Sequence, residues 1–268
     1  MQMRSRDLPT TESASANLAP AGTVTLVGAG PGDPELLTLK AARVLAQARM
    51  VLYDHLVSPA VLDFLPAGAE RIYVGKEASR HTLPQNDIIG LMVRLARQGH
   101  SLVRLKGGDG YIFGRGGEEV QALAEAGIAF EVIPGLTAAQ GAAASTGIAL
   151  THRDHAGVLV LATGHRRADR QLDMDWPMLA RPRQTVVLYM GVGNLSEICG
   201  QLLAHGRSAD TPAALIENAT LPEERCVTGT LAQLPELARQ HQIRPPALIM
   251  IGEVVAARQP PRRPAAAV

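Results

Sequence analysis

Short apolar runs, several ending in glycine, alternate with longer amphipathic stretches along most of the chain, and this rhythm limits the folds open to it. Residues 23–27 (TVTLV) are β-branched and run into glycine, as a strand does at a tight turn. Residues 38–49 then place Leu39, Ala42, Leu45 and Ala46 on one helical face. Further strands are predicted at 50–53, 71–74, 101–105 and 129–133, and helices at 85–98 and 117–126, closed by Gly99 and Gly127. A βαβα order of this kind makes a largely parallel, buried sheet with helices on its faces. A second series has strands at 158–162, 185–189, 213–217 and 247–251, with helices at 195–204 and 231–240. Residues 225–229 read as the arm of an antiparallel hairpin.

The expected fold class is therefore α/β, with two α/β domains rather than one large sheet. The junction is placed near Pro134 and Gly135, before the small-residue segment 137–147, giving domains at 22–135 and 136–257. Residues 1–21 and 258–268 read as loose extensions. The first lacks the apolar block of a secretory signal, and the second is rich in Pro, Arg and Ala.

Composition narrows function by exclusion. Lys and Arg number 26 against 25 Asp and Glu, so no overall field draws the chain to nucleic acid or to a membrane surface. The longest apolar runs are strand-sized, too short to cross a bilayer. Cys199 and Cys226 are too few for a disulfide framework or a zinc site and suit a reducing, cytoplasmic setting. With 26 glycines and 3% aromatic residues, a ligand would meet bare backbone more than aromatic walls.

Two glycine-rich turns follow predicted strands. The first, GAGPGDP at 28–34, resembles a dinucleotide loop, but Pro31 removes an amide donor and Asp33 stands where the third glycine belongs. A nicotinamide-dependent oxidoreductase is disfavoured on both counts. The second, KGGDGYIFGRGGEE at 106–119, lies where parallel sheets place ligands, at the carboxyl edge of a strand. Asp109 there can accept hydrogen bonds from a ribose or an ammonium group, and Arg115 can grip a carboxylate in forked geometry. His152 and His155 have ligand-like spacing without an evident third partner, so no metal is expected. The basic run His165, Arg166, Arg167 and Arg170 reads as a solvated face, and Trp176 beside Pro177 as a packing anchor.

These turns, with VLYDHLVS at 51–58, VGK at 74–76, PQNDI at 84–88, VIPGLTAA at 132–139, LTHRD at 150–154, TGH at 163–165 and YMG at 189–191, resemble the tetrapyrrole methylase family, and within it the members that methylate uroporphyrinogen III. The likeness runs from about residue 22 to 255. It implies two α/β domains with S-adenosylmethionine, the methyl donor, in the cleft between them, and a homodimer. It implies methylation of uroporphyrinogen III at two ring carbons (C2 and C7), giving precorrin-2 by way of precorrin-1, in sirohaem, cobalamin or haem d1 biosynthesis. The nearest alternative is methylation of a later corrin precursor. Cofactor contacts are implied for Pro31, Gly107, Gly108, Asp109, Ile112, Thr137, Ala138, Met190 and the main chain at Ala219. Asp54 and Lys76 hold the positions of proton acceptor and donor, with Arg115 a further proton-handling candidate. Arg115, Glu118, Arg153 and Met190 are implied to face the tetrapyrrole. Gly110 and Ala219 depart from the family pattern, which has proline and glycine there.

Overall fold

The structure is a computed structural model that describes residues 21–75, 84–165 and 172–261. Lys76, Arg166, Arg167 and Arg170 lie outside them, as does most of each expected extension. The described residues form two five-stranded sheets.

The first half contains β1 (Val24–Gly28), α1 (Leu39–Leu45), β2 (Met50–Tyr53), α2 (Pro59–Leu62), β3 (Glu70–Tyr73), α3 (Gln85–Arg97), β4 (Leu102–Lys106), α4 (Gly116–Glu125) and β5 (Phe130–Ile133). Its strands pair in the order β3-β2-β4-β1-β5, every ladder parallel. Alternation along the strands supplies two cores. Val27, Val51, Val103 and Leu105 meet Ala41, Leu45 and Val61 on one face. Leu26, Met50, Leu52 and Leu102 meet Ile88, Met92, Ala96 and Leu123 on the other. One detail differs from the pattern expected for α1. Thr38 caps the helix through Oγ1 and the Ala41 N–H, which turns Ala41 and Leu45 inward and leaves Leu39 86% exposed.

The second half contains α5 (Ala138–Thr146), β6 (Val158–Thr163), α6 (Trp176–Leu179), β7 (Gln184–Tyr189), α7 (Leu195–Ala204), β8 (Pro212–Glu217), β9 (Arg225–Thr230), α8 (Leu234–Gln240) and β10 (Ala247–Ile251). Strand order is β6-β7-β10-β8-β9. Only β6 and β7 are parallel; β10 runs antiparallel to both neighbours, and β8 and β9 make the expected antiparallel pair. Helices α7 and α8 cover one face, with Trp176 packed at its margin. Helix α5 covers the other. Helix α8 starts at Leu234 rather than 231, because Pro235 lacks an amide hydrogen and is tolerated only in a first turn. Arg258 and Gln259, the first residues of the expected loose tail, hydrogen-bond to the carbonyls of Thr146 and Gly147 at the end of α5.

Candidate functional site

The loops after β1, β4 and β5 meet at the carboxyl edge of the parallel sheet. Gly30 and Gly108 exchange backbone hydrogen bonds at 3.1 and 2.7 Å. A Cβ on Gly135 would overlap the carbonyl of Gly108 and the backbone of Gly28, so three strand ends converge only because these positions carry none. Asp109 fastens the junction: Oδ1 accepts the Tyr111 N–H at 2.8 Å, and Oδ2 accepts the Gly135 N–H at 3.0 Å. Both oxygens expected to face a ligand thus already hold the loops.

The second half closes on these loops from the other side. Pro31 packs on α5, where a Cβ on Gly141 would come within 2.5 Å of its ring. The Asp33 N–H donates to Thr220 Oγ1 at 3.1 Å. Phe113, in the loop after β4, packs against the Tyr189 ring with centroids 4.9 Å apart. The Tyr189 hydroxyl lies 2.6 Å from Thr137 Oγ1 and accepts the Ala139 N–H at 3.0 Å. Burial pushes this phenol above its usual pKa. Thr137 and Ala138, at the start of α5, are thereby brought beside Gly108, whose own Cβ would lie 3.7 Å from the Ala138 nitrogen.

Backbone strain gathers in the same loops. Phe113, Arg115, Met190, Asn218 and Thr220 all adopt left-handed φ between 50° and 69°, a region unfavourable for side chains larger than glycine. Met190 and Asn218 directly follow β7 and β8, and Ala219 lies between two such residues. Met190 nevertheless leaves its side chain 51% exposed, and Ile112 is also exposed. Strain of this kind, held at strand ends around exposed apolar side chains, marks a ligand site more often than a structural core.

Arg115 caps α4 in left-handed conformation and forks onto Glu118, with Nε to Oε1 at 2.9 Å and Nη2 to Oε2 at 2.6 Å. The hydrogen bond holds the Glu118 carboxyl below its usual range and the guanidinium above its own. Both side chains are exposed, and Glu118 occupies the Nε–Nη2 edge of the guanidinium. Arg153 is exposed in the 151–156 turn, with the His152 and His155 rings 4.6 Å apart and tilted by 38°, and the His152 main-chain N–H on the Ala156 carbonyl. Among the described residues no group of three His, Cys, Asp or Glu side chains gathers as a metal site, and no helix is long and apolar enough to cross a membrane.

Asp54 directly follows β2 and pairs with Arg104 at 3.0 Å. Behind it, buried Glu119 accepts from Arg104, Lys106 and Gln85. Burial, and after it the Arg104 charge, draws the Lys106 pKa below its ordinary value. Sequence reasoning assigned no role to Arg104, Glu119 or Tyr189, although the last two lie in runs that carry the family resemblance. The visible signal for the first two was a pair of cations inside an otherwise apolar strand, LVRLK.

Residues 23–235 match the family of tetrapyrrole (corrin/porphyrin) methylases. The chain is 54% identical over 241 residues to a sirohaem synthase of Nitrosomonas europaea, covering 90% of this chain and 50% of that protein. It thus spans about half the length of the curated relatives it matches. Among solved structures, a uroporphyrin-III C-methyltransferase of Thermus thermophilus in complex with S-adenosylhomocysteine is 44% identical, with a TM-score of 0.75, 88% of this chain and all of that one covered. A cobalt precorrin-4 methyltransferase is 31% identical with a TM-score of 0.76, over 87% of this chain and 95% of its own. With its two sheets, glycine turns and strained strand ends in this arrangement, the chain belongs to the tetrapyrrole methylase family.

Proposed function

We propose that the chain transfers methyl groups from S-adenosylmethionine to two ring carbons of uroporphyrinogen III, giving precorrin-2. The observation that carries this reading is the convergence of the glycine loops after β1 and β4 with the start of α5 and the strained residues after β7 and β8. Support comes from the 44% identity to a uroporphyrin-III C-methyltransferase that binds S-adenosylhomocysteine, the demethylated form of the donor.

The residues present suit the donor. Gly107 and Gly108 let backbone approach the donor without side chains in between, although the Gly108 N–H and C=O are paired with Gly30. The main chain at Ala219 offers polar groups beside its methyl, and Ile112 and Met190 offer exposed apolar surface. Pro31, Thr137 and Ala138 line the same loops, and Asp109 holds them in place. When bound, S-adenosylmethionine supplies an activated sulfonium methyl group to a carbon nucleophile. The chain's own task is then alignment and proton management. Arg115, with Glu118 and Arg153, orients carboxylates of the tetrapyrrole, a use suited to planar guanidinium groups. Asp54 takes up the proton lost as the conjugation of the ring rearranges, and Lys76 returns one. Arg115 serves carboxylate binding before proton transfer, since a guanidinium held above its usual range does not act as a base.

Assembly as a homodimer, a cytoplasmic setting and supply of sirohaem, cobalamin or haem d1 synthesis belong to the same proposal. The relatives' names favour sirohaem. The likeness to a cobalt precorrin-4 methyltransferase sustains a second reading, methylation of a later corrin precursor. Anaerobic incubation with S-adenosylmethionine and either substrate separates the two. Gain of two methyl groups by uroporphyrinogen III, with matching release of S-adenosylhomocysteine, is expected. Methylation of only the later precursor would replace this reading, and donor binding without turnover of either would make the chain a non-catalytic module.

A further inference from the structure

Strand β4 is apolar apart from Arg104 and Lys106. Two residues apart, they project from the same face of the sheet, toward α3 and α4. Both are buried, at 2% and 4% exposure. Removing two cations from water is unfavourable unless carboxylates meet them in good geometry. Glu119, fully buried in the first turn of α4, is one such carboxylate. Its Oε1 accepts Arg104 Nε at 3.2 Å, Lys106 Nζ at 2.9 Å and Gln85 Nε2 at 2.9 Å. One negative charge does not balance two positive ones.

Asp54 supplies the balance. Its Oδ2 accepts Arg104 Nη2 at 3.0 Å, and its Oδ1 accepts the Leu56 N–H at 3.2 Å. The guanidinium is pinned on three sides, since Nη1 also donates to the Leu105 carbonyl at 3.0 Å. Among the four charged groups, Asp54 is the one that reaches solvent: its side chain is 21% exposed, against 5% or less for the others. The network thus runs from a sealed anchor, Glu119, to a carboxylate at the mouth of the parallel sheet. Lys106 also begins the glycine loop that Asp109 fastens, so one strand end serves both features.

We infer that Arg104 is a positioning residue for the methylation: anchored by Glu119, it holds the carboxylate of Asp54 in the one orientation that receives the substrate proton. The inference rests on Asp54 being the proton acceptor. In that step a bond from the substrate to hydrogen breaks, its electron pair stays in the macrocycle, and a new O–H bond forms on Asp54. Asp54 reaches solvent, so the proton then passes from it to water, which restores the carboxylate beside Arg104.

The test uses Arg104→Met, Asp54→Asn and the double variant, each assayed anaerobically for methylation and by calorimetry for S-adenosylhomocysteine. Arg104→Met leaves Lys106 and Glu119 as a balanced pair and fills the volume, so the fold is expected to survive. Its kcat should fall by about tenfold or more, as expected when a general base is misaligned, with KM and product affinity within about twofold of wild type. In the Asp54→Asn background the same change should cost nothing further, because Arg104 then has no base to position. Losses that multiply, or wild-type turnover in Arg104→Met beside a slow Asp54→Asn, would overturn the role of Arg104. Wild-type turnover in Asp54→Asn would instead remove the proton-acceptor reading and the inference with it. If Arg104→Met does not fold, Arg104→Lys is read by the same criteria, since an ammonium keeps the charge but does not span Glu119 and Asp54 together.

Discussion

Asp109 Oδ2 accepts the main-chain N–H of Gly135 at 3.0 Å, tying the loop after β4 to the loop after β5. A residue that its sequence context marks as a ligand contact therefore has a structural duty as well. Asp109→Ala should lower stability by roughly 1 to 3 kcal/mol, the usual consequence of stranding partly buried donors. Donor affinity should fall with it, because the loop carrying Gly107 and Gly108 loses its fastening. Denaturant unfolding and calorimetry on the same preparation check both parts; unchanged stability would show that the Gly135 bond is dispensable.

The Arg115–Glu118 fork leads to a different expectation, since both side chains are exposed and little stability depends on them. Arg115→Lys should lose between about tenfold and a thousandfold in turnover, roughly 1 to 4 kcal/mol of transition-state stabilisation. Its melting temperature and S-adenosylhomocysteine affinity should stay near wild type. A lysine preserves charge but not the planar two-bond geometry. Steady-state methylation of uroporphyrinogen III makes the measurement, and wild-type turnover would mean that charge alone suffices.

Gly147 closes α5 with φ +74°, and a Cβ there would overlap the Gln259 carbonyl. Gly147→Ala should destabilise by at least about 2 kcal/mol, combining the left-handed penalty with the collision. It should also release the chain beyond Val255, because the Gln259 N–H donates to the Gly147 carbonyl. Limited proteolysis near Arg258 should become faster than in wild type, and equal rates would argue against this docking.

Cys199, buried against α7's core, has its thiol pushed up to about 12 from 9.0 by loss of solvation. In the unfolded chain the thiol ionises near the lower value, so above it the native state binds more protons. Stability should then fall as pH rises from 9.0 to about 12. The slope from this group approaches about 1.4 kcal/mol per pH unit. Cys199→Ala should be less stable at neutral pH yet lose less on alkalinisation. Urea unfolding at both ends of that window checks the sign, and parallel losses in the two proteins would refute it.

Much of the architecture is legible in the chain because strand and helix signals are local. Short continuous apolar runs place β2 and β10 at their observed bounds, and a β-branched run before glycine marks the turn at 28. Family-specific runs such as KGGD at 106–109 and YMG likewise point to the candidate site without any knowledge of its geometry. Partnership is another matter. Asp54 meets Arg104, fifty positions away, because strand order sets β2 beside β4 with Leu52 opposite Arg104. Tyr189 reaches Thr137 only because β7 ends beneath the first turn of α5, and Asp109 reaches Gly135 only because β1 holds β4 and β5 on its two sides. Left-handed strain at Met190, Asn218 and Thr220 is equally invisible, since none is the glycine that such backbone normally requires. The sequence by itself determined the elements, the turns and the family, through interactions spanning a few residues. Tertiary structure decided which charges share a hydrogen bond and which loops share a site, because those depend on strand order and register between segments far apart in the chain.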